Sequence, residues 1–152
     1  MYKKILVPLA LDQGHGYRAI ELARRLRAEG GNIIAVHVIE QIPRYAQLYV
    51  TDKNDKAIKK LAEESIAERI GDEKDADAVV LSGHPGQTIT NHAEKIGADC
   101  IIVGSHKPGL QDFFLGSTAA RIVRHAPCAV HVLRLSDVNA YGTEIEDPAD
   151  RN

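Results

Sequence analysis

Five short runs of apolar residues, rich in Val and Ile, constrain the fold of this chain more than any other feature. They cover residues 4–9, 33–39, 78–81, 100–104 and 129–133, and most are continuous rather than alternating with polar residues. Continuous apolar runs of this length are typical of strands that are buried on both faces, as in a parallel sheet. The runs therefore predict five buried strands.

Four segments between these runs have the apolar spacing of amphipathic helices, at residues 17–26, 57–70, 88–96 and 117–125. We expect Gly30 and Gly31 to end the first helix, since glycine is a common helix stop. Strands and helices therefore alternate, which predicts an α/β fold: a Rossmann-like, five-stranded parallel sheet with helices on both faces. Residues 41–55 form one long connection, which either carries function or covers the sheet edge.

Charge and composition divide the chain and exclude several classes of protein. Residues 136–152 hold five acids and one base out of 21 acids and 19 bases, which leaves residues 1–135 with 16 acids and 18 bases. We expect one domain over residues 1–135, followed by a flexible acidic tail. A nearly neutral body argues against a nucleic-acid-binding protein. The chain has no membrane-spanning run and no secretory signal, which predicts a cytoplasmic protein.

The segment after the fourth run is rich in glycine and precedes a helix. It contains Gly104, Gly109 and Gly116, and Ser117 is predicted to be the N-cap of the helix. The first amides of a helix lack internal partners and attract anions, so a phosphate fits here, with Lys107 adding a charge. The alternative is an ordinary capped helix. The segment is not a P-loop, because Leu110 and Gln111 replace the required Lys-Ser/Thr pair.

Cysteine and histidine residues give no catalytic or metal-binding pattern. Cys100 and Cys128 lie in apolar segments without metal-ligand spacing, and we expect buried, reduced thiols. His37 and His131 lie inside predicted strands, where a hydrogen-bonded histidine is the expected role. His106 is different because it lies in the glycine-rich segment, within reach of a phosphate. No residue is assigned a catalytic role and no metal site is predicted.

Three separated motifs together resemble the universal stress protein family. They are the glycine-rich segment with the following helix and strand (residues 104–132), the opening residues 2–8, and residues 35–39. The resemblance covers nearly all of residues 2–134. It implies the α/β fold of that family (adenine nucleotide α-hydrolase-like), with bound ATP, ADP or AMP, with or without Mg²⁺. It also implies a homodimer formed through the last strand, or a tetramer.

The same resemblance implies a set of binding residues. The adenosine would lie over the ends of the first two strands and the phosphates over the glycine-rich segment. The implied residues are Pro8, Leu9, Ala10, Val38, Val103, Gly104, His106, Lys107, Gly109, Gly116, Ser117 and Thr118. The chain departs from the family pattern at Ala10, where the family has an Asp that holds the nucleoside. It departs again at Lys107, which replaces a glycine in a segment one residue shorter.

The predicted function is that of a small cytosolic ATP-binding module of the stress response. Two alternatives stay open at this point. The first is a protein-interaction module that has lost nucleotide binding, which the departures at Ala10 and Lys107 suggest. The second is a slow ATPase or phosphotransferase, which His106 and Lys107 suggest, with slow ATP hydrolysis as the most that the residues support.

Overall fold

Strand β1 (Tyr2–Pro8) runs through the middle of the molecule, and Ile5, Leu6 and Val7 in it are completely buried. The structure is a computed structural model that describes residues 1–11, 16–40, 52–71, 74–105 and 115–134. Burial of consecutive side chains requires a helical layer on each face of the sheet, which explains why this run has no polar alternation.

Helices and strands alternate along the rest of the described chain. They are α1 (Gly16–Leu26), β2 (Arg27–Ile39), α2 (Asp52–Ile70), β3 (Ala76–Ser82), α3 (Pro85–Ile96), β4 (Cys100–Gly104), α4 (Ser117–His125) and β5 (Ala129–Leu133). The five strands form one sheet in the order β3-β2-β1-β4-β5, and every neighbouring pair is parallel. The predicted α/β fold is thus confirmed.

The two faces of the sheet carry separate hydrophobic cores. Helices α1 and α2 cover one face, and their buried residues there are Ala19, Ile20, Ala23, Ile66 and Ile70. Helices α3 and α4 cover the other face through Ile89, Ala93, Ala119 and Ile122. Successive strand residues alternate between the two cores, as the pleat requires. None of the helices in the described ranges is long and apolar enough to cross a membrane.

The boundary between α1 and β2 differs from the sequence prediction. Helix α1 ends at Leu26, before the expected stop at Gly30 and Gly31, and both glycines belong to β2. The β2 partner of β1 shifts from Arg27 to Asn32 as β1 advances from Tyr2 to Lys4. Gly30 has a φ of +69°, and a Cβ on Gly31 would lie 3.0 Å from the Tyr2 carbonyl oxygen. The glycines therefore serve an irregular strand entry, not a helix stop.

Helices α2 and α3 begin earlier than their apolar spacing predicts. Helix α2 starts at Asp52 instead of residue 57, and α3 starts at Pro85 instead of residue 88. Proline suits the first turn of a helix because its missing N–H would have had no partner there. Most of the connection predicted at residues 41–55 lies outside the described residues, as does the acidic segment at residues 136–152.

Asp99 fastens the beginning of β1 to the beginning of β4. Its carboxylate oxygens accept hydrogen bonds from the main-chain amides of Lys3, at 2.7 Å, and Lys4, at 2.9 Å. Its own amide donates to the Lys4 carbonyl oxygen at 3.1 Å. The Lys4 ammonium group donates to the Ile96 carbonyl oxygen at 2.7 Å, at the end of α3. These bonds hold the amino-terminal ends of two neighbouring strands together.

The two cysteine thiols lie on opposite faces of the sheet. Cys100 is fully buried in the core under α1 and α2, whereas Cys128 packs against the core under α3 and α4. Both are free. Burial, followed by the charges of Cys128 and Asp99, raises the pKa of the Cys100 thiol to about 12. Burial and then Asp99 raise the pKa of the Cys128 thiol as well. Cys100 therefore acts as a small, buried apolar side chain, as predicted, whereas Cys128 is half-buried.

Replacement of Asp99 by Ala is expected to lower the free energy of unfolding by about 2 kcal/mol, because two strand amides lose their acceptor. Asp99→Asn keeps one acceptor oxygen and should lose less. The measurement is chemical denaturation followed by circular dichroism. The control is Asp75→Ala, since Asp75 pairs with Arg27 at 3.1 Å with 59% of its side chain exposed. Exposed pairs contribute about 1 kcal/mol at most. Equal losses in Asp99→Ala and Asp75→Ala would contradict the prediction.

Alkylation of Cys100 is expected to be at least about 10³-fold slower in the native protein than in the unfolded chain at pH 8, because the pKa near 12 suppresses the thiolate. Cys128→Ser leaves one thiol for the measurement, which is mass spectrometry after iodoacetamide treatment. The stability contributed by the protonated thiol is full below pH 9, the ordinary value, and falls as the pH rises towards 12. Equal native and unfolded rates would show that the thiol is accessible.

Candidate functional site

The strand order reverses beside β1, and this reversal opens a crevice at the carboxyl ends of the strands. The chain builds β1, β2 and β3 towards one side and then returns to add β4 and β5 on the other. Connections after β1 and after β4 therefore leave the sheet in opposite directions. Ligands of open parallel sheets bind at this kind of position.

Three of the predicted binding residues reach the edge of this crevice together. Pro8 lies opposite Val36, and Leu6 lies opposite Ile101. By this register Val103, two residues after Ile101, lies level with Pro8, whereas Val38 lies two residues beyond that level. Val38 is 8% exposed and Val103 is 5% exposed. Their side chains belong to the core, so contacts at these two positions fall mainly to the main chain.

The segment after β1 continues the sheet for one residue and then emerges. The Leu9 amide donates to the Val36 carbonyl oxygen at 2.8 Å, and the Leu9 side chain is buried. Ala10 is exposed, and Gly104 at the end of β4 is half-buried. Ala10 therefore presents a methyl group, and no carboxylate, at this point of the crevice.

Helix α4 begins beside the crevice without a side-chain cap. The N-cap is Gly116, with φ −56° and ψ 153°, and its carbonyl oxygen accepts the Ala120 amide at 2.8 Å. The prediction of Ser117 as the N-cap was thus wrong by one residue, because the helical hydrogen bonds begin at the Gly116 carbonyl. Glycine has no side chain to bond the first amides, so these amides are left for another acceptor.

The start of α4 is tied to the sheet by a single residue, Ser105. The Ser105 amide donates to the Leu133 carbonyl oxygen at 2.9 Å, and the Ser105 carbonyl oxygen accepts the Gly116 amide at 2.8 Å. Because the Gly116 amide is used in this way, the donors open to a ligand begin at Ser117. Within the described ranges, the amides of Ser117, Thr118 and Ala119 have no acceptor. They carry the partial positive charge of the helix terminus.

Three other predicted residues, His106, Lys107 and Gly109, lie outside the described residues. Their expected contacts with phosphate stay predictions. The described part of the site therefore consists of strand ends on one side and the α4 terminus on the other.

Helices α3 and α4 are joined near their first turns. The Arg121 guanidinium group donates a hydrogen bond from Nη2 to the Gln87 side-chain oxygen. The stem of Arg121 crosses Gly86 so closely that a Cβ there would lie 2.8 Å from Arg121 Cδ. This close packing fixes the separation of the two helices that cover one face of the sheet.

Sequence reasoning missed two side chains that hold the segment after β1. His37 Nδ1 donates to the Leu9 carbonyl oxygen at 2.8 Å, and Arg69 Nη2 donates to the Leu11 carbonyl oxygen at 3.2 Å. The available signal for His37 was a polar residue near the end of an apolar run. The hydrogen-bonded role expected for His37 is confirmed, whereas its partner was not foreseen. Nothing in the spacing of α2 pointed to Arg69.

Comparison with known proteins gives a consistent result. The model of the universal stress protein family matches residues 1–134. Universal stress protein A homolog 2 of Coxiella burnetii is 34% identical over 143 residues, which span 88% of this chain and 96% of that protein.

Two solved structures illustrate the structural similarity. The structure of hypothetical protein MJ0577 is 26% identical, with a TM-score of 0.70 over 91% of this chain and 99% of that chain. A universal stress protein solved in complex with cAMP is 21% identical, with a TM-score of 0.59 over 89% of this chain and 98% of that chain. Because the second structure is only 21% identical to this chain, its similarity shows a shared fold and nothing more. Family match, sequence identity and fold agree, and the chain belongs to the universal stress protein family.

Proposed function

We propose that the protein binds an adenine nucleotide in the crevice at the carboxyl ends of β1 and β4, and that it acts as a regulatory module of the stress response in the cytoplasm. The nucleotide is ATP, or its relatives ADP and AMP, with or without Mg²⁺. The nucleoside lies over the ends of β1 and β2, and the phosphates lie at the start of α4.

The observation that carries this proposal is the uncapped start of α4. The amides of Ser117, Thr118 and Ala119 point out of a helix whose N-cap, Gly116, offers no side-chain acceptor. Among the described residues nothing else accepts their hydrogen bonds. A phosphate satisfies such amides and gains from the helix dipole. Thr118 is half-buried at the same turn, and its hydroxyl is suited to donate a further hydrogen bond.

The nucleoside side of the crevice supports the proposal by its shape. Pro8 gives this side of the crevice an apolar edge next to the exposed Ala10, and the main chain at Val38 adds polar groups. The flat aromatic face of the base can lie against this edge while its ring nitrogens and amino group form hydrogen bonds with the main chain at the strand ends. Ala10 has no carboxylate that could accept hydrogen bonds from the ribose hydroxyls. The phosphates therefore contribute more to the affinity than the ribose does.

A structural neighbour supports the choice of ligand class. The universal stress protein that shares this fold at a TM-score of 0.59 binds cAMP, which combines an adenine nucleoside with a phosphate. The crevice of the present chain offers one surface for each part of such a ligand, an apolar edge for the nucleoside and the amides at the start of α4 for the phosphate.

We also propose that the protein forms a homodimer through β5, with a tetramer as the next larger assembly. In the strand order, β5 is the last strand and pairs with β4 alone within the described part of the chain. Val132 in β5 is 40% exposed. An open edge strand with apolar residues can pair with a second copy across a two-fold axis.

Replacement of Gly116 by Asp is expected to separate stability from binding. An Asp at the N-cap accepts hydrogen bonds from the first amides of α4, and its negative charge interacts favourably with the helix dipole. The free energy of unfolding should therefore stay equal or rise by up to about 1 kcal/mol. The same carboxylate occupies the phosphate site and repels the phosphates, so the affinity for ATP should fall at least about tenfold. Calorimetric titration with ATP and Mg²⁺, beside thermal unfolding, measures both quantities.

The control for Gly116→Asp is Asn91→Asp, which adds the same charge on the exposed face of α3. Asn91 Oδ1 accepts a hydrogen bond from Gln87 at 2.6 Å, and an aspartate oxygen can accept it equally well. This control should keep wild-type affinity. Unchanged ATP affinity in Gly116→Asp would place the phosphates elsewhere. No heat of binding for the wild type at millimolar ATP would favour a module without nucleotide binding.

Replacement of Val132 by Lys is expected to weaken self-association at least about tenfold, because a charged residue on an edge strand disfavours pairing. Sedimentation velocity at several protein concentrations gives the dimer dissociation constant. Leu61→Lys serves as the control, since Leu61 on α2 is 63% exposed and far in the fold from β5. A wild-type monomer, or a Val132→Lys protein that dimerises as well as the wild type, would rule out this interface.

A further inference from the structure

The main chain that follows β1 is held from two different elements of the fold. His37 in β2 donates from Nδ1 to the Leu9 carbonyl oxygen at 2.8 Å. Arg69 in α2 donates from Nη2 to the Leu11 carbonyl oxygen at 3.2 Å. Ala10 lies between these two tethered carbonyls and is exposed. The described segment is thus fixed on both sides of its exposed residue.

The Arg69 guanidinium group is itself held in one position. Its Nη1 donates to the Ser65 carbonyl oxygen at 3.0 Å, one turn earlier in α2. Its stem packs against Gly16 at the start of α1, where a Cβ would lie 3.1 Å from Arg69 Cδ. The planar fork of arginine can serve two carbonyl oxygens at once, which a lysine ammonium cannot do with the same geometry.

This arrangement is not the simplest way to stabilise the region. The Nε atom of Arg69 is buried, and none of the described residues accepts a hydrogen bond from it. Burial of an unsatisfied donor costs free energy, and an apolar side chain would avoid that cost next to Leu9 and Ile66 of the same core. A polar group kept in such a position indicates a need for a defined main-chain geometry.

The tethered segment coincides with the nucleoside edge of the proposed site. With Ala10 in place of a carboxylate, recognition of the nucleoside depends on the shape of the Pro8–Leu11 main chain. A preorganised main chain binds more tightly, because the ligand does not have to order it. We propose that His37 and Arg69 are positioning residues that preorganise the nucleoside edge, so that this chain selects the adenine nucleoside by a rigid main chain. This inference rests on the proposed function.

The test compares two ligands on single-site variants. Arg69→Met removes the fork and keeps most of the stem. The matched control is Arg24→Met, because Arg24 also donates to a main-chain carbonyl of α2, that of Ile70, at 3.0 Å. Calorimetry gives the affinity of each protein for ATP and for inorganic tripolyphosphate, which lacks the nucleoside. We expect Arg69→Met to lower the affinity for ATP about tenfold and to leave the affinity for tripolyphosphate unchanged. Arg24→Met should change neither affinity.

A second pair of variants tests the other tether and covers the case in which Arg69→Met does not fold. In His37→Asn the side-chain amide can replace the Nδ1 donor, whereas in His37→Leu the donor is lost. We expect His37→Asn to retain more ATP affinity than His37→Leu, at equal affinity for tripolyphosphate. Thermal unfolding of each variant shows whether it is folded at the temperature of the titration.

The outcomes separate the two proposals. If the wild type binds neither ATP nor tripolyphosphate, the proposed function is wrong, and the inference falls with it. If the wild type binds ATP and the Arg69 and His37 variants bind it equally well, the inference alone is overturned. It is also overturned if the affinities for ATP and tripolyphosphate fall by the same factor, since the residues then support the whole fold instead of the nucleoside edge.

Discussion

The parallel pairing of β1 with β2 on one side and β4 on the other is the constraint on which the rest of the structure depends. Ile5, Leu6 and Val7 have no exposed surface, so β1 requires a neighbour at each edge and a helical layer on each face. Right-handed connections then send α1 and α2 to one face and α3 and α4 to the other. The crevice at the carboxyl ends follows from this arrangement, because the direction of chain growth reverses at β1.

Polar groups are distributed unequally between the two ends of the sheet. At the amino-terminal end, the Asp99 carboxylate satisfies two amides of β1 directly. At the carboxyl end, Ser105 ties α4 to the sheet by its main chain. The next three amides of α4, from Ser117 to Ala119, find no acceptor within the described ranges. One end is thus closed by the protein itself, whereas the other leaves donors to an anion.

The sequence predicted the strands well because their signal is local. A continuous apolar run such as residues 100–104, followed by turn residues, is typical of a strand buried on both faces, and β4 has those bounds in the structure. Element boundaries were less certain where a residue has two uses. Gly30 and Gly31 were expected to stop α1, yet they serve the irregular entry of β2 beside Tyr2. Glycine permits both conformations, and the pairing partner decides between them.

The amino-acid sequence by itself determined the alternation of strands and helices, the membership of the family and the position of a helix start near the glycine-rich segment. These features depend on residue type and spacing along the chain. Only the tertiary structure decided that Gly116 and not Ser117 caps α4, since the Ser105 carbonyl sets where that helix begins. It also decided that His37 and Arg69 brace the segment after β1. Their partners lie 28 and 58 residues away in sequence, and contacts at that separation exist only once the sheet has brought β1, β2 and α2 together.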